Sequence, residues 1–144
     1  MQLRESIPDL SGATNWLHQE IRKEELEHGL PVLIHFWSVS CDSCKRNIPV
    51  LNSVMEAHKG KIQVIAVHMP RSEKDKDLKQ VVQQAQKYNI AQPIAIDDQY
   101  SLSHSFSVRT VPAYFLFDGE GQLRYKQTSG SARLLKKRIE RFVD

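Results

Sequence analysis

Residues 32–44 read Val-Leu-Ile-His-Phe-Trp-Ser-Val-Ser-Cys-Asp-Ser-Cys, and this stretch decides the fold. Its first six residues are apolar except for His35, a pattern typical of a β-strand that is buried on both faces of its sheet. After Cys44, apolar residues recur at helical spacing, so we expect the strand to lead directly into a helix. Cys41 and Cys44 therefore lie where a buried strand passes into a helix.

The same periodicities extend outward from this stretch. We expect residues 1–20 to be irregular, with a short hairpin around Trp16, and we expect Ser72 or Asp75 to cap a helix that covers residues 78–88. Further strands are predicted at 62–67, 94–96, 113–117 and 122–127, and further helices at 22–28, 100–106 and 135–142. Strands that alternate with helices predict an α/β fold with a mainly parallel sheet and helices on both faces. The last two strands form a hairpin, which makes the sheet mixed.

Length and charge narrow the class of protein. The chain has 144 residues and a formal net charge of +3, which fits a single domain, 1–144, and is too balanced to indicate nucleic-acid binding. No apolar run approaches the roughly 18–20 residues that span a bilayer, so we expect no membrane segment. The N-terminus shows no basic cluster followed by an apolar stretch, and we therefore expect a cytoplasmic protein.

The spacing of the two cysteines points to redox chemistry. A disulfide across so short a loop gains only about 2 kcal/mol of chain entropy, against more than 4 kcal/mol for a loop of about 100 residues. In a reducing compartment, such a pair is more often redox-active or metal-binding than structural. At a helix N-terminus, free N–H groups and the helix dipole favour the thiolate. We expect Cys41 to be exposed and to attack, and Cys44 to be buried and to resolve.

Two of the six prolines occupy unusual places. Pro49 lies inside a strongly periodic helix, where it removes a hydrogen bond and favours a kink. Pro112 opens a predicted strand, where a proline needs a special reason. A cis bond between Val111 and Pro112 is one such reason, and it would present the backbone of Val111 beside the cysteines.

These residues together resemble the thioredoxin-like superfamily. The run from Phe36 to Lys45 is similar to the thioredoxin active-site segment, Pro49 matches the helix kink, and Val111-Pro112 matches the cis-proline loop. The N-terminal Ile-Pro-Asp-Leu at 7–10 and an extra α-β insertion at about 71–96 resemble the TlpA/ResA branch, and most closely the YkuV-type thiol-disulfide oxidoreductases.

This resemblance implies a three-layer fold in which helices flank a central mixed sheet, with an N-terminal extension over residues 1–30. It also implies reduction of protein disulfides by dithiol exchange, with no cofactor beyond the Cys41–Cys44 pair. The implied partners are disulfide-bearing proteins and a thiol electron donor, and we expect a monomer.

The resemblance assigns further site residues. It makes Val111 and Pro112 substrate-binding. Trp37, beside the cysteines, is assigned to substrate binding as well, with a role in the core or as a shield of the pair as the alternative. His35 stands at the position of the buried aspartate of thioredoxins, where a neutral imidazole could accept the proton of Cys44; a purely structural core histidine is the alternative. The remaining supporting residues are Asp42 and Ser43, which replace Gly-Pro, and Asn47. Asn47 stands where ResA-type proteins carry a glutamate, so the acid-base role of that glutamate is not carried over, and a surface polar residue is the alternative. Ser40 replaces a surface tryptophan.

Two rival functions stay open at the level of sequence. A thiol peroxidase would carry proline at the position of Ile34 in a Pro-x-x-x-Thr/Ser-x-x-Cys motif that ends at Cys41. Ser38 is present in that motif, but the proline is not. A metal carrier would need His68 or His35 to complete a site begun by the two thiolates. His68 is otherwise expected to be a solvated loop histidine, and we predict no metal ligands.

Overall fold

The apolar run at 32–37 forms the central strand of a six-stranded sheet in the computed structural model, which describes residues 1–26, 28–128 and 131–143. The strands are β1 (Asn15–Leu17), β2 (Val32–Trp37), β3 (Gln63–His68), β4 (Ile94–Ile96), β5 (Ala113–Phe117) and β6 (Leu123–Gln127). The helices are α1 (Asp42–Ala57), α2 (Leu78–Lys87), α3 (Ser101–Ser105) and α4 (Ala132–Val143), with short 3₁₀ helices at Lys23–Glu25 and Glu73–Lys76.

The sheet is mixed, in the order β1-β4-β3-β2-β5-β6. Strands β2, β3 and β4 run parallel, while β1, β5 and β6 pair antiparallel with their neighbours. All six residues of β2 are buried, because helices and loops cover both faces. The predicted α/β architecture with a central mixed sheet is therefore confirmed.

Side chains of alternate residues in β2 enter different parts of the core. Ile34 and Phe36 belong to a cluster that also contains residues of α3 and of the N-terminal segment, which is residues 1–14, before β1. Leu33 packs with residues of α1 and α4, while Trp37 packs with residues of α1 and α2. One face of the sheet is thus covered by α1, α2 and α4, and the other by α3 and the N-terminal segment.

Three local predictions need correction. Within the helix expected at 22–28, Lys23–Glu25 form only a 3₁₀ turn, because Leu26 adopts extended backbone and packs against the core. Residue 27 of that range lies outside the described residues. The residues around Trp16 form one edge strand paired with β4 instead of a hairpin. Helix α2 is capped by the Asp77 side chain, which accepts from the Lys79 N–H, instead of by Ser72 or Asp75.

Helix α1 is continuous across Pro49 and has 16 residues.

None of the helices in the described parts of the chain combines the length and the apolar character that crossing a membrane takes.

Candidate active site

The cysteine pair lies at the C-terminal ends of the parallel strands, directly after the central strand β2. Cys41 and Cys44 are joined by a disulfide, with 5.3 Å between their Cα atoms. Cys41 is the N-cap of α1, and its Sγ accepts a hydrogen bond from the Cys44 N–H at 3.2 Å. The Ser43 hydroxyl lies 3.5 Å from the same sulfur. Two polar hydrogens can therefore stabilise negative charge on Cys41 once the disulfide is reduced.

The predicted exposure of Cys41 is wrong, since both cysteines are only 2% exposed. As the N-cap residue, Cys41 directs its side chain back over the first turn of α1. The carbonyl oxygen of Val111 lies 3.8 Å from its Sγ. Ser40 and Asp42, on either side of Cys41, are exposed and form the rim of the site.

The loop before β5 borders the sulfur on one side. The Val111–Pro112 peptide bond is cis, Val111 is half-buried and Pro112 is buried. Beside this loop runs a groove of about 620 Å³, whose walls include Val111 and the exposed side chains of Arg71 and Arg109. Val111 therefore lies both in the wall of this groove and against the Cys41 sulfur.

Trp37 does not reach this surface. It is 1% exposed and packs with the two cysteines and Ile48 in the core. Its ring meets that of His68 edge-on at 5.0 Å between centroids, and its Nε1 has no hydrogen-bond partner among the described residues. The structure therefore places Trp37 under the pair as core support, which favours that alternative over its assignment as a substrate-binding residue.

His35 is buried in β2, and its Nε2 lies 2.7 Å from the side-chain nitrogen of Gln92. An amide N–H can only donate, so the imidazole accepts and its proton resides on Nδ1. Burial lowers the pKa of His35 to about 4, which keeps the ring neutral near pH 7. With Nε2 accepting from Gln92, this arrangement favours a structural role for His35 over proton transfer.

Asn47 links α1 to the sheet. Its side-chain N–H donates to the Tyr114 hydroxyl at 2.9 Å, and Tyr114 pairs with His35 across β5 and β2. Burial raises the pKa of Tyr114, although the hydrogen bond from Asn47 opposes this shift. Asn47 therefore holds α1 to β5, the strand that pairs with β2 beside His35.

Two further buried side chains lie near the site, those of His68 and Asp75, and the sequence did not indicate the burial of either. His68 is completely buried at the end of β3 instead of solvated, and burial lowers its pKa to about 4 against an opposing influence of Asp75. Asp75 is 4% exposed. Burial alone raises the pKa of Asp75, but hydrogen bonds from Ser40, Arg71 and Ser38 together lower it below its usual value. The highly charged sequence around Asp75 gave no signal of this burial.

Comparison with known proteins agrees with this geometry. Residues 3–126 match the AhpC/TSA family. The chain is 42% identical over 144 residues to the thiol-disulfide oxidoreductase YkuV of Bacillus subtilis, a match that covers 99% of this chain and 97% of YkuV. The chain therefore belongs to the AhpC/TSA family.

Solved structures give the same fold. A solution structure of a thioredoxin-like protein in the oxidized form superposes with a TM-score of 0.93 at 42% identity, covering 99% of this chain and 97% of that one. A putative thiol:disulfide interchange protein DsbE from Chlorobium tepidum superposes with a TM-score of 0.85 at 18% identity, covering 100% and 99% of the two chains. The fold is thioredoxin-like.

Proposed function

We propose that this protein is a thiol-disulfide oxidoreductase that reduces disulfides in partner proteins. The observation that carries the proposal is the Cys41–Cys44 disulfide at the N-terminus of α1, in contact with Val111, which also lines the neighbouring groove. The similarity to YkuV over nearly the whole chain supports the same activity.

The reaction consists of two exchange steps. In the reduced protein, the thiolate of Cys41 attacks one sulfur of the partner's disulfide, and that S–S bond breaks to give a mixed disulfide and a partner thiolate, which takes up a proton. The thiolate of Cys44 then attacks Cys41 Sγ. This attack releases the second partner thiolate and forms the Cys41–Cys44 disulfide. Two electrons pass to the partner, and a thiol donor restores the dithiol.

The neighbouring residues have separate parts in this proposal. The Cys44 N–H and the Ser43 hydroxyl stabilise the attacking thiolate of Cys41. Val111 lines the groove in which the partner's chain lies, and its carbonyl oxygen faces the Cys41 sulfur. Pro112, the next residue, is buried. Monomeric state, cytoplasmic location and independence of any further cofactor stay predictions from the sequence.

The two rival functions receive no support from the site. Ser38, at the Thr/Ser position of the peroxidase motif, directs its hydroxyl to Asp75 at 2.9 Å instead of toward Cys41. The Nε2 of His68 accepts the Val39 N–H at 3.2 Å, so that this lone pair is engaged. Within the described residues, no three His, Cys, Asp or Glu side chains converge as metal ligands would.

Insulin reduction with dithiothreitol as electron source tests the proposal. Cys41→Ser should show no turnover above the dithiothreitol background, because the attacking sulfur is missing. Cys44→Ser should attack once and then stall as a mixed disulfide that non-reducing electrophoresis and intact mass detect. Ser53→Ala, on the exposed surface of α1, serves as the control. Full turnover by Cys41→Ser would refute the assignment.

A further inference from the structure

A buried carboxylate outside the cysteine motif binds the loop that precedes Cys41. Asp75 belongs to the 3₁₀ helix Glu73–Lys76, between β3 and α2. Its Oδ2 accepts hydrogen bonds from the Ser38 hydroxyl at 2.9 Å, the Ser40 hydroxyl at 2.7 Å and the backbone N–H of Arg71 at 2.8 Å. One oxygen of one side chain thus joins two distant parts of the chain.

Two further contacts join the same segments. The guanidinium of Arg71 donates to the Ser40 carbonyl oxygen at 3.1 Å, and the backbone N–H of Val39 donates to Nε2 of His68 at 3.2 Å. Every residue of the loop 38–40 is therefore held by a residue between 68 and 75. We call this set of hydrogen bonds the Asp75 clamp.

The clamp acts on the residue that carries the reacting sulfur. The backbone N–H of Cys41 donates to the Ser38 carbonyl oxygen at 3.0 Å, so the clamped loop fixes where Cys41 enters α1. That entry makes Cys41 the N-cap and directs its Sγ at the Cys44 N–H. A loop free to move would weaken this contact with the sulfur.

We propose that Asp75 is a positioning residue for the thiol-disulfide reaction: it holds the loop 38–40 so that the Cys41 sulfur meets its hydrogen-bond donors. Only the expected effect of Asp75 on turnover rests on the proposed function. The reactivity of the reduced Cys41 thiol can be measured without any protein substrate.

Three explanations of the Asp75 contacts predict different results. If Asp75 positions Cys41, removing the carboxylate weakens the hydrogen bonds that the Cys44 N–H and the Ser43 hydroxyl donate to the thiolate. The pKa of the Cys41 thiol then rises. If Asp75 acts only as a nearby negative charge, its removal lowers that pKa. If Asp75 serves only folding, stability falls and the thiol is unchanged.

The experiment measures the rate at which iodoacetamide alkylates reduced Cys41 as a function of pH, in the full chain. In Asp75→Ala, the midpoint of the profile should move to higher pH by about half a unit or more, which is about a threefold loss of thiolate at a pH below the midpoint. Asp75→Asn keeps an acceptor oxygen without the charge, so it should restore most of the profile. Insulin reduction should follow the same order.

Asp118→Ala is the matched control. Asp118 is likewise a carboxylate with three hydrogen-bond donors: the backbone N–H groups of Glu120 and Gln122, at 3.0 Å each, and the Arg124 guanidinium at 3.4 Å. It lies in the turn between β5 and β6, at the opposite end of the sheet, since Phe117 pairs with the first residue of β2. Its loss should lower stability and leave the alkylation profile unchanged.

Two results would overturn the inference. An Asp75→Ala protein that folds and keeps the wild-type profile would reduce Asp75 to a folding role. An alkylation profile that moves to lower pH in both the Ala and Asn variants would show that Asp75 acts on Cys41 only through its negative charge. If Asp75→Ala does not fold, Ser40→Ala, which removes one exposed hydroxyl of the clamp, must move the profile in the same upward direction. Wild-type protein that fails to reduce insulin would refute the proposed function and leave the alkylation result standing.

Discussion

At the scale of single residues, two buried histidines carry an energetic cost that depends on pH. His35 and His68 are each 2% exposed or less, and burial lowers the pKa of both to about 4. An unfolded chain restores an ordinary histidine pKa near 6.5. Between these values, the unfolded state binds protons that the folded state does not, so the free energy of unfolding decreases as pH falls.

We expect the free energy of unfolding to fall by about 2 kcal/mol for each of these histidines between pH 7 and pH 5. Urea denaturation at pH 7 and at pH 5 measures the loss. His35→Leu and His68→Leu should each remove about half of the histidine contribution, because each variant eliminates one site of proton uptake by the unfolded state.

The exposed His104 supplies the control for this measurement. His104→Leu should leave the difference between the two pH values unchanged. Asp75 and Asp118, whose pKa values are lowered in the folded protein, stay ionised over this range in both states. Equal pH dependence in wild type and both buried-histidine variants would contradict the expectation.

At the scale of elements, the N-terminus of α1 exerts two opposing effects on Cys41. The Cys44 N–H and the helix dipole favour the thiolate. The exposed carboxylate of Asp42, in the first turn, disfavours it. A less stable thiolate stabilises the reduced protein less, which makes the protein a stronger reductant.

We therefore expect a reduction potential nearer that of thioredoxin, about −270 mV, than that of DsbA, about −120 mV. Asp42→Asn should raise the potential by about 5–20 mV, which corresponds to the roughly 0.2–1 kcal/mol of an exposed charge pair. Titration against a dithiothreitol couple measures the reduction potentials of the wild-type protein and of Asp42→Asn. Glu56→Gln, on the exposed surface near the end of α1, should leave the potential unchanged. A wild-type potential above about −180 mV, the disulfide-isomerase range, would contradict the prediction.

How far the sequence predicts each element depends on the range of the interactions that fix it. Strand β2 and helix α1 are predictable because continuous apolarity and helical spacing are local patterns. The Asp75 clamp is not predictable, because residues 71–77 are almost uniformly polar and only the tertiary fold decides which carboxylate turns inward. The burial of Cys41 escapes prediction for a similar reason, since it depends on the contact with Val111, 70 residues away.

At the scale of the whole molecule, the two faces of the sheet are covered unequally. Three helices cover one face, whereas α3 on the other has only five residues. The N-terminal segment completes that second face, and Ile7 and Leu10 lie in one cluster with Phe36 and Phe115. A Cβ atom on Gly12 would lie 2.7 Å from Cβ of Ser101, so this segment is also closely packed against α3.

The N-terminal segment should therefore stabilise the domain as much as a core helix does. Leu10 is 1% exposed, and Leu10→Ala should lower the free energy of unfolding by about 2–5 kcal/mol, the usual cost of a cavity left by leucine. Leu3, in the same segment, is 61% exposed, and Leu3→Ala should change stability by no more than about 0.5 kcal/mol. Denaturation in urea compares the two variants. Because Leu10 packs in a different cluster from the one that contains Cys41 and Cys44, insulin reduction by folded Leu10→Ala should stay close to that of wild type. Equal stability of the two variants would mean that the N-terminal segment is not an integral part of the core.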